Sequence, residues 1–428
     1  MEISQLVEWN PWWENNEELL KALAGKPRLQ YQEVIRSLKI REVTIITGIR
    51  RSGKSTLMYQ MAQKLLQEGI KASRIFLINL EDKKLEKKSL DEIYQTYREQ
   101  MNLDEQAYIF FDEIHRKKGW ESWIRKKYDL KTKDKFVLSS SSSYLLRKEY
   151  ATLLTGRNLT FEVYPLSFEE FLAFKEIALQ KERLKKGVIS EATKMRLMKN
   201  FKEYLFLGGF PEILLKQKHF QMKILEQYFD DILYKDIVDR YTLNSQKTKD
   251  LALYFMTNVT GIISLRALRN SLQLSYDTIK DYLAHFKEAF LFFTADHFSD
   301  SFKEQKTLPS KLYCIDNGLR NAVSFAFSRD EGKLAENMVF IELRRRQENP
   351  YYWKNKGEVD FVIKNRGQSL TAINVSYTDE LEKRETEALL EFKKAFPKTK
   401  KLLLLTKDTE RKEQGILMLP LWKWLLER

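Results

Sequence analysis

The sequence predicts an α/β chain of several domains, the first of them a parallel sheet built around a phosphate-binding loop. Three observations predict it. Val43–Thr47 is a β-branched run that reads as a short buried strand. It leads into Gly48-Ile49-Arg50-Arg51-Ser52-Gly53-Lys54-Ser55, which fits G-x-x-x-x-G-K-[ST] at every fixed position. Leu57, Met58, Met61, Leu65 and Leu66 then follow at the spacing of one apolar helix face. Strand, glycine loop and helix form the context in which this motif binds nucleotide. Gly48 and Gly53 permit backbone angles that turn successive N–H groups onto phosphate, and the helix points its positive end at the same place. Gly48, Arg50, Arg51, Ser52, Gly53, Lys54, Ser55 and Thr56 are therefore the expected ATP contacts, with Lys54 on the β- and γ-phosphates and Ser55 on Mg²⁺.

At 428 residues the chain exceeds one core, and its 43% hydrophobic content is enough to build two or three. The single cysteine, Cys314, excludes a disulfide within the chain, and His115, His219, His285 and His297 are scattered without zinc-site spacing. A reducing cytoplasm fits. No stretch reads as a leader or a membrane span, so no membrane partner is expected. The formal charge of +14 favours a polyanionic partner, nucleic acid and DNA first, although the charge is spread along the chain and forms no basic arm.

In chain order, Trp9-Asn10-Pro11-Trp12-Trp13 precedes a short helical pattern. Such closely spaced tryptophans are expected to clamp onto the first domain rather than to stand as a platform for bases. Ile75–Leu80 is a second buried strand, followed by a helix from about Ser89 to Met101. Tyr108-Ile109-Phe110-Phe111-Asp112-Glu113 comes next, an apolar strand ending in two carboxylates. A buried parallel strand delivers Asp112 to its C-terminal end to hold Mg²⁺, and Glu113 stands beside it to activate water. Lys135–Leu138 runs into Ser139–Ser143, where one of Ser141 and Ser142 is expected to sense the γ-phosphate; the sequence does not choose between them. A helix with Leu145 and Leu146 and a fifth strand, Leu159–Val163, complete the domain.

This order, with Arg157 just before the fifth strand, resembles the AAA+ ATPases, in which an arginine so placed reaches a neighbour's γ-phosphate. Longer motifs sharpen the resemblance. Gly48-Ile-Arg-Arg-Ser-Gly-Lys-Ser, Phe111-Asp-Glu-Ile-His, Trp120-Glu-Ser-Trp, Leu153-Leu-Thr-Gly-Arg, Tyr164-Pro-Leu-Ser-Phe-Glu-Glu-Phe, Leu207-Gly-Gly-Phe-Pro-Glu, Tyr313-Cys-Ile-Asp-Asn-Gly-Leu and Gly357-Glu-Val-Asp-Phe-Val look like a family of archaeal and bacterial AAA-type ATPases. Members carry a C-terminal domain resembling restriction endonucleases. The resemblance covers nearly the whole chain. It implies an AAA+-like P-loop core, catalytic Lys54, Glu113 and Arg157, and a homo-oligomer with Arg157 acting in trans.

Residues 165–255 read as helical, and the Gly208-Gly209-Phe210-Pro211 turn is expected at a domain junction. Ser264 and Ser275 can each cap a helix, and Ala289–Thr294 reads as a wing strand, so a winged helix is expected. Its candidate reading face carries Asp277 and Asp281 around Lys280, which weakens a base-reading role. The rest is α/β again. A helix holding Glu336, the strand Glu358–Ile363 with Asp360, and the strand Thr371–Tyr377 resemble the PD-(D/E)xK nuclease layout. The E-x-K position reads Asn374-Val375-Ser376, so the second metal-binding acid and the lysine are missing, and a degenerate site without cleavage is expected; Lys364 and Lys383 are the candidates for a relocated lysine. The expected division is an aromatic arm at 1–30, the ATPase domain at 31–165, a helical connector at 166–255, the winged-helix segment at 256–305 and the nuclease-like domain at 306–428.

The function expected is a Mg²⁺-dependent ATPase coupling nucleotide state to conformational change, on nucleic acid. The alternatives are a slow-turnover switch acting through protein partners and a metal-dependent nuclease. A small-molecule kinase fits less well, because Glu113 argues for water as the acceptor.

Overall fold

Five strands form where β-branched and aromatic residues are densest: β1 (Val43–Thr47), β2 (Ile75–Asn79), β3 (Tyr108–Asp112), β4 (Lys135–Ser140) and β5 (Asn158–Glu162). All pair in parallel, in the order β2-β3-β4-β1-β5. β1 is buried along its whole length, as a central parallel strand covered on both faces must be. Ile45, Ile78, Phe111 and Leu138 fill the core on one face; Ile46, Leu77, Phe110 and Val137 meet Leu57, Met58, Met61 and Leu65 of the helix Lys54–Gln67 on the other. The topology sets the C-terminal ends of β3, β4 and β1 side by side, which is where the candidate site is assembled. The helix Leu90–Met101 opens on a capping box between Ser89 and Glu92.

The structure, a computed structural model, describes residues 2–143, 156–179, 181–185, 188–324 and 330–427. The helix expected around Leu145 and Leu146, and Leu153–Thr155 of the quoted motif, lie outside the described residues. The chain divides into two units, Met1–Val163 with Glu288–Phe290, and Tyr164–Lys287 with Leu291–Arg428.

In the first unit the tryptophans form a clamp. Trp12 Nε1 donates to the Ile75 carbonyl at 2.9 Å, Trp13 Nε1 to the Ala72 carbonyl at 3.0 Å, and Trp9 Nε1 to Asp82 at 3.2 Å. Trp13 also stacks on Phe76 and Tyr97. Trp12 is buried, Trp9 and Trp13 are half-buried against the core, and each satisfies its N–H, so the three rings pack on this unit as a clamp.

The second unit begins with helices Phe168–Phe174, Glu191–Leu207 and Lys218–Asp231, a π-helical stretch Ile232–Val238, and the helix Ser245–Thr257. Next come β6 (Ile262–Ile263), helices Leu265–Leu272 and Tyr276–Glu288, and β7 (Phe292–Ala295). The strand expected over 289–294 thus starts later. β8 (Ser310–Cys314), grouped on sequence with the C-terminal domain, instead lies between β6 and β7 in an antiparallel sheet. Two glycine-containing motifs meet just beyond it: Asp316 accepts from the Gly209 N–H at 2.7 Å, and Asn317 Nδ2 donates to the Leu205 carbonyl at 3.1 Å.

The helix Glu331–Arg345 leads into β9 (Tyr351–Lys354), β10 (Glu358–Lys364), β11 (Leu370–Ser376), β12 (Thr399–Thr406), β13 (Arg411–Glu413) and β14 (Ile416–Pro420). These form a mixed sheet in the order β13-β14-β12-β11-β10-β9. The helix Lys383–Ala395 covers it through Leu389 and Phe392, and the helix Leu421–Leu426 closes the chain. No helix among the described residues is long and apolar enough to cross a membrane.

Candidate functional site

The loop between β1 and its helix is shaped by missing side chains. A Cβ on Gly48 would lie 2.1 Å from the Val163 carbonyl oxygen, and Gly53 has φ +99°, so neither position accepts another residue without moving the loop. Lys54, Ser55 and Thr56 follow on the first helical turn. Lys54 Nζ donates to the Ile49 carbonyl at 3.1 Å and lies 3.5 Å from Glu113 Oε1. The Ser55 hydroxyl donates to Asp112 Oδ2 at 2.6 Å. The residues expected to bind phosphate, to hold metal and to activate water are therefore brought together.

Strand ends on either side fix the two carboxylates. Ser139 Oγ donates to Asp112 Oδ1 and accepts from the Glu113 N–H, the latter at 3.0 Å. Asn79 Nδ2 reaches Asp112 Oδ2 at 3.3 Å. Glu113 has φ 54° and ψ 49°, a left-handed backbone that a side chain with a Cβ adopts at a cost of about 1–3 kcal/mol. Its Oε2 accepts from the Ser141 N–H at 2.7 Å and lies 3.3 Å from His115 Nδ1. Burial alone would raise the Glu113 carboxyl, but the charges of Lys54 and His115 outweigh it and hold Glu113 ionised below the usual range. Burial, and then the charge of Glu113, push Asp112 up to about 6. Ser141 and Ser142 are both buried; Ser141 enters the site through its backbone N–H, and the Ser142 carbonyl accepts from Thr47 Oγ1 at 3.1 Å.

Two expected contacts are arranged differently. Arg50 turns to Glu81, with Nη1 donating to Oε2 at 3.0 Å and Nη2 to Oε1 at 2.7 Å. Arg116 reaches the same carboxylate at 2.5 Å. Arg51 is exposed with φ 66°, and the Ser52 carbonyl accepts from the buried Arg28 guanidinium at 2.7 Å. Arg157 stands at the start of β5, the opposite end of the sheet from the loop, paired with Asp129 at 3.0 Å. It cannot serve the loop of its own chain from there. Sequence reasoning missed Arg28, Asn79, Glu81, His115 and Ser139; the carboxylate closing β2, Glu81, was the one visible signal.

The C-terminal candidates are partly assembled. Glu336 and Asp360 do converge, and Glu358 joins them, because residues two apart on β10 share a face. The lysine among them is Lys311 on β8, with Nζ 2.9 Å from Glu336 Oε1, 2.6 Å from Glu358 Oε1 and 3.2 Å from Asp360 Oδ1. The expected Lys364 lies instead over the Phe298 and Tyr351 rings, and Lys383 begins a helix. Asn374 braces the backbone, its Oδ1 accepting from the Asp360 N–H at 3.1 Å and its Nδ2 donating to the Glu358 carbonyl at 3.1 Å. The Ser376 hydroxyl pairs with Thr378, outside the cluster.

Residues 40–172 match an AAA domain model, and residues 198–330 and 331–424 match two domains of unknown function, DUF8612 and DUF4143. The chain is 32% identical to the uncharacterized protein MJ1544 of Methanocaldococcus jannaschii, across 94% of this chain and 92% of that one. It is 30% identical to an uncharacterized protein of Haemophilus influenzae, across 90% of this chain and 94% of the relative. The chain belongs to this AAA-domain family.

Among solved structures, the Thermotoga maritima RuvB Holliday junction branch migration motor is similar at 17% identity, over 65% of this chain and 89% of that chain, with a TM-score of 0.31. The Aeropyrum pernix Orc1 protein in complex with DNA is similar at 11% identity, over 72% of this chain and 92% of that chain, with a TM-score of 0.31. Within the AAA-domain family the match at 40–172 contains the whole Lys54, Asp112 and Glu113 constellation. The C-terminal cluster straddles two matches, since Lys311 falls in 198–330 and its three carboxylates in 331–424.

Proposed function

We propose that the chain is a Mg²⁺-dependent ATP hydrolase that couples nucleotide state to conformational change on nucleic acid. The observation that carries this reading is the alignment of Ser55, Asp112 and Glu113 around Lys54, at 2.6 Å for Ser55 to Asp112 and 3.5 Å for Lys54 to Glu113. A hydroxyl and a carboxylate converging from a helix start and a strand end are the hard oxygen donors that Mg²⁺ takes. Ser55 and Asp112 would hold Mg²⁺ there, and the ion would supply positive charge that offsets the charge developing on the phosphates. Lys54 exchanges its contacts with Ile49 and Glu113 for the phosphates, and the loop N–H groups orient them. Glu113, released from Lys54 and already ionised, accepts the proton of the attacking water. Arg157 completes the site of a neighbouring copy.

The +14 charge supports nucleic acid as the partner. We assign its contact to the winged-helix-like segment, where a groove of about 550 Å³ beside the helix Tyr276–Glu288 is lined by Arg266, Tyr276, Lys287 and Ser310. Steady-state phosphate release with and without DNA and RNA, at several salt concentrations, tests both halves. Stimulation that fades as salt rises is expected. Glu113→Gln should bind ATP yet lose turnover on the order of 10²–10⁴-fold; a Glu113→Gln protein as fast as wild type removes Glu113 from its role. Mixing Arg157→Ala with wild-type subunits should depress activity beyond dilution, and simple dilution behaviour sinks the trans finger.

One observation favours a second reading, a slow switch acting through protein partners. Glu113 Oε2 is tied to the Ser141 N–H at 2.7 Å and lies 3.3 Å from the His115 ring, contacts that hold the carboxylate in place and leave only Oε1 for water. Turnover that stays slow with every polymer, together with tight ATP retention, supports this reading over the first.

A further inference from the structure

The resemblance that makes Glu336 and Asp360 nuclease metal ligands requires a cation between them. The residues present do not fit a divalent ion, because that place holds a side chain. Lys311 is 3% exposed, and three carboxylates reach its Nζ from separate directions: Glu336 from a helix, and Glu358 and Asp360 from one face of β10. The Lys311 ammonium donates hydrogen bonds to Glu336 Oε1 and Asp360 Oδ1 and forms a 2.6 Å ion pair with Glu358 Oε1. Tyr313 also donates to Glu336 Oε1 at 2.9 Å, and two of the other carboxylate oxygens are engaged: the Val375 N–H donates to Asp360 Oδ2 at 2.9 Å, and Lys354 pairs with Glu358 Oε2 at 3.3 Å. Asn374, at the position of the missing acid, turns its oxygen to the Asp360 N–H, so it offers no ligand.

We propose that the Lys311 ammonium is the resident cation of this cluster: it stands where a divalent ion would, joins β8, the helix Glu331–Arg345 and β10 without metal, and leaves the C-terminal part of the chain without metal-dependent cleavage there. The lysine belongs to a segment outside the match that carries the carboxylates, so the cluster also bolts two matched regions together.

The test uses full-length, nucleotide-free protein and Mn²⁺ as the probe. Mn²⁺ binding is followed by the electron spin resonance signal of the free ion, and unfolding is followed by heating in EDTA or in millimolar Mn²⁺. Wild type should show no Mn²⁺ site that depends on Asp360 and no Mn²⁺-dependent rise of its midpoint. Lys311→Ala should melt several degrees lower in EDTA, gain one Mn²⁺ site and recover stability with Mn²⁺, and both gains should vanish in the Lys311→Ala, Asp360→Asn double variant. A lowered midpoint in Lys311→Ala that ignores Mn²⁺ overturns the proposal. So does a wild-type Mn²⁺ site, or plasmid cutting with Mn²⁺, that disappears in Asp360→Asn. If Lys311→Ala cannot be recovered, the comparison of wild type with Asp360→Asn decides alone.

Discussion

Two lysines are buried among carboxylates in this chain, and they are held in opposite ways. Lys54 sits 3.5 Å from one carboxylate and gives a hydrogen bond to a loop carbonyl. Lys311 is met by three carboxylates at 2.6–3.2 Å. A buried ammonium with one long ionic contact keeps an unmet electrostatic demand that a polyphosphate can answer. An ammonium ringed by three carboxylates has its charge answered within the chain. The same residue type at similar burial thus has one carboxylate neighbour in one region and three in the other. Its partners make the difference.

Exchanging the two roles by mutation gives the largest effects. Lys311→Ala leaves three part-buried carboxylates without their cation, and such a loss costs up to about 3–5 kcal/mol. Denaturant unfolding should show that loss, while nucleotide affinity stays near wild type. Lys54→Ala should do the reverse, with turnover falling on the order of 10²–10³-fold and little change in the unfolding midpoint. If both variants lose stability equally, the distinction between the two lysines fails. The clamp is a check on the first unit: Trp12→Ala removes a ring that is 4% exposed and should cost about 3–5 kcal/mol in the same unfolding assay.

A smaller effect concerns Glu81. Burial would raise its pKa, but Arg50 and then Arg116 overcome that and hold it at about 2 against an ordinary 4.5. A carboxyl lowered on folding stabilises the protein above its unfolded pKa, and that stability is lost as pH falls from about 4.5 toward 2. Glu81→Gln should therefore flatten the acid limb of the stability-against-pH curve. It should also shift ATP affinity severalfold by freeing Arg50. The smallest effect is expected of Arg157→Ala on stability, below about 1 kcal/mol, because its pair with Asp129 is exposed.

What the sequence disclosed follows the distances along the chain. The phosphate loop is contiguous, and the Asp112-Glu113 pair announces itself by an apolar strand ending in acids. Both were legible because one short segment carries strand, turn and chemistry. Ser89 and Glu92, three residues apart, gave the helix start for the same reason. Lys311 lies 25 residues from Glu336 and 49 from Asp360, and no local pattern joins them. Their meeting depends on β8 pairing with β6 and β7 rather than entering the sheet of β10, a choice that strand propensity does not encode. Glu81 and Ser139 escaped likewise, because the register between β2, β3 and β4 sets who faces whom. Arg50 was read as a phosphate contact because its sequence position says so; the nearby Glu81 carboxylate redirects it.

Gly48 has a consequence beyond shaping the loop. The carbonyl that its absent side chain admits belongs to Val163, and the Val163 N–H is bonded to Thr47 O at 2.7 Å. Val163 is also where the first unit ends and the chain passes into the second. The glycine loop is therefore in direct backbone contact with the last residue of the first unit's main segment, so the shape of the loop and the path of the chain at Val163 are fixed together.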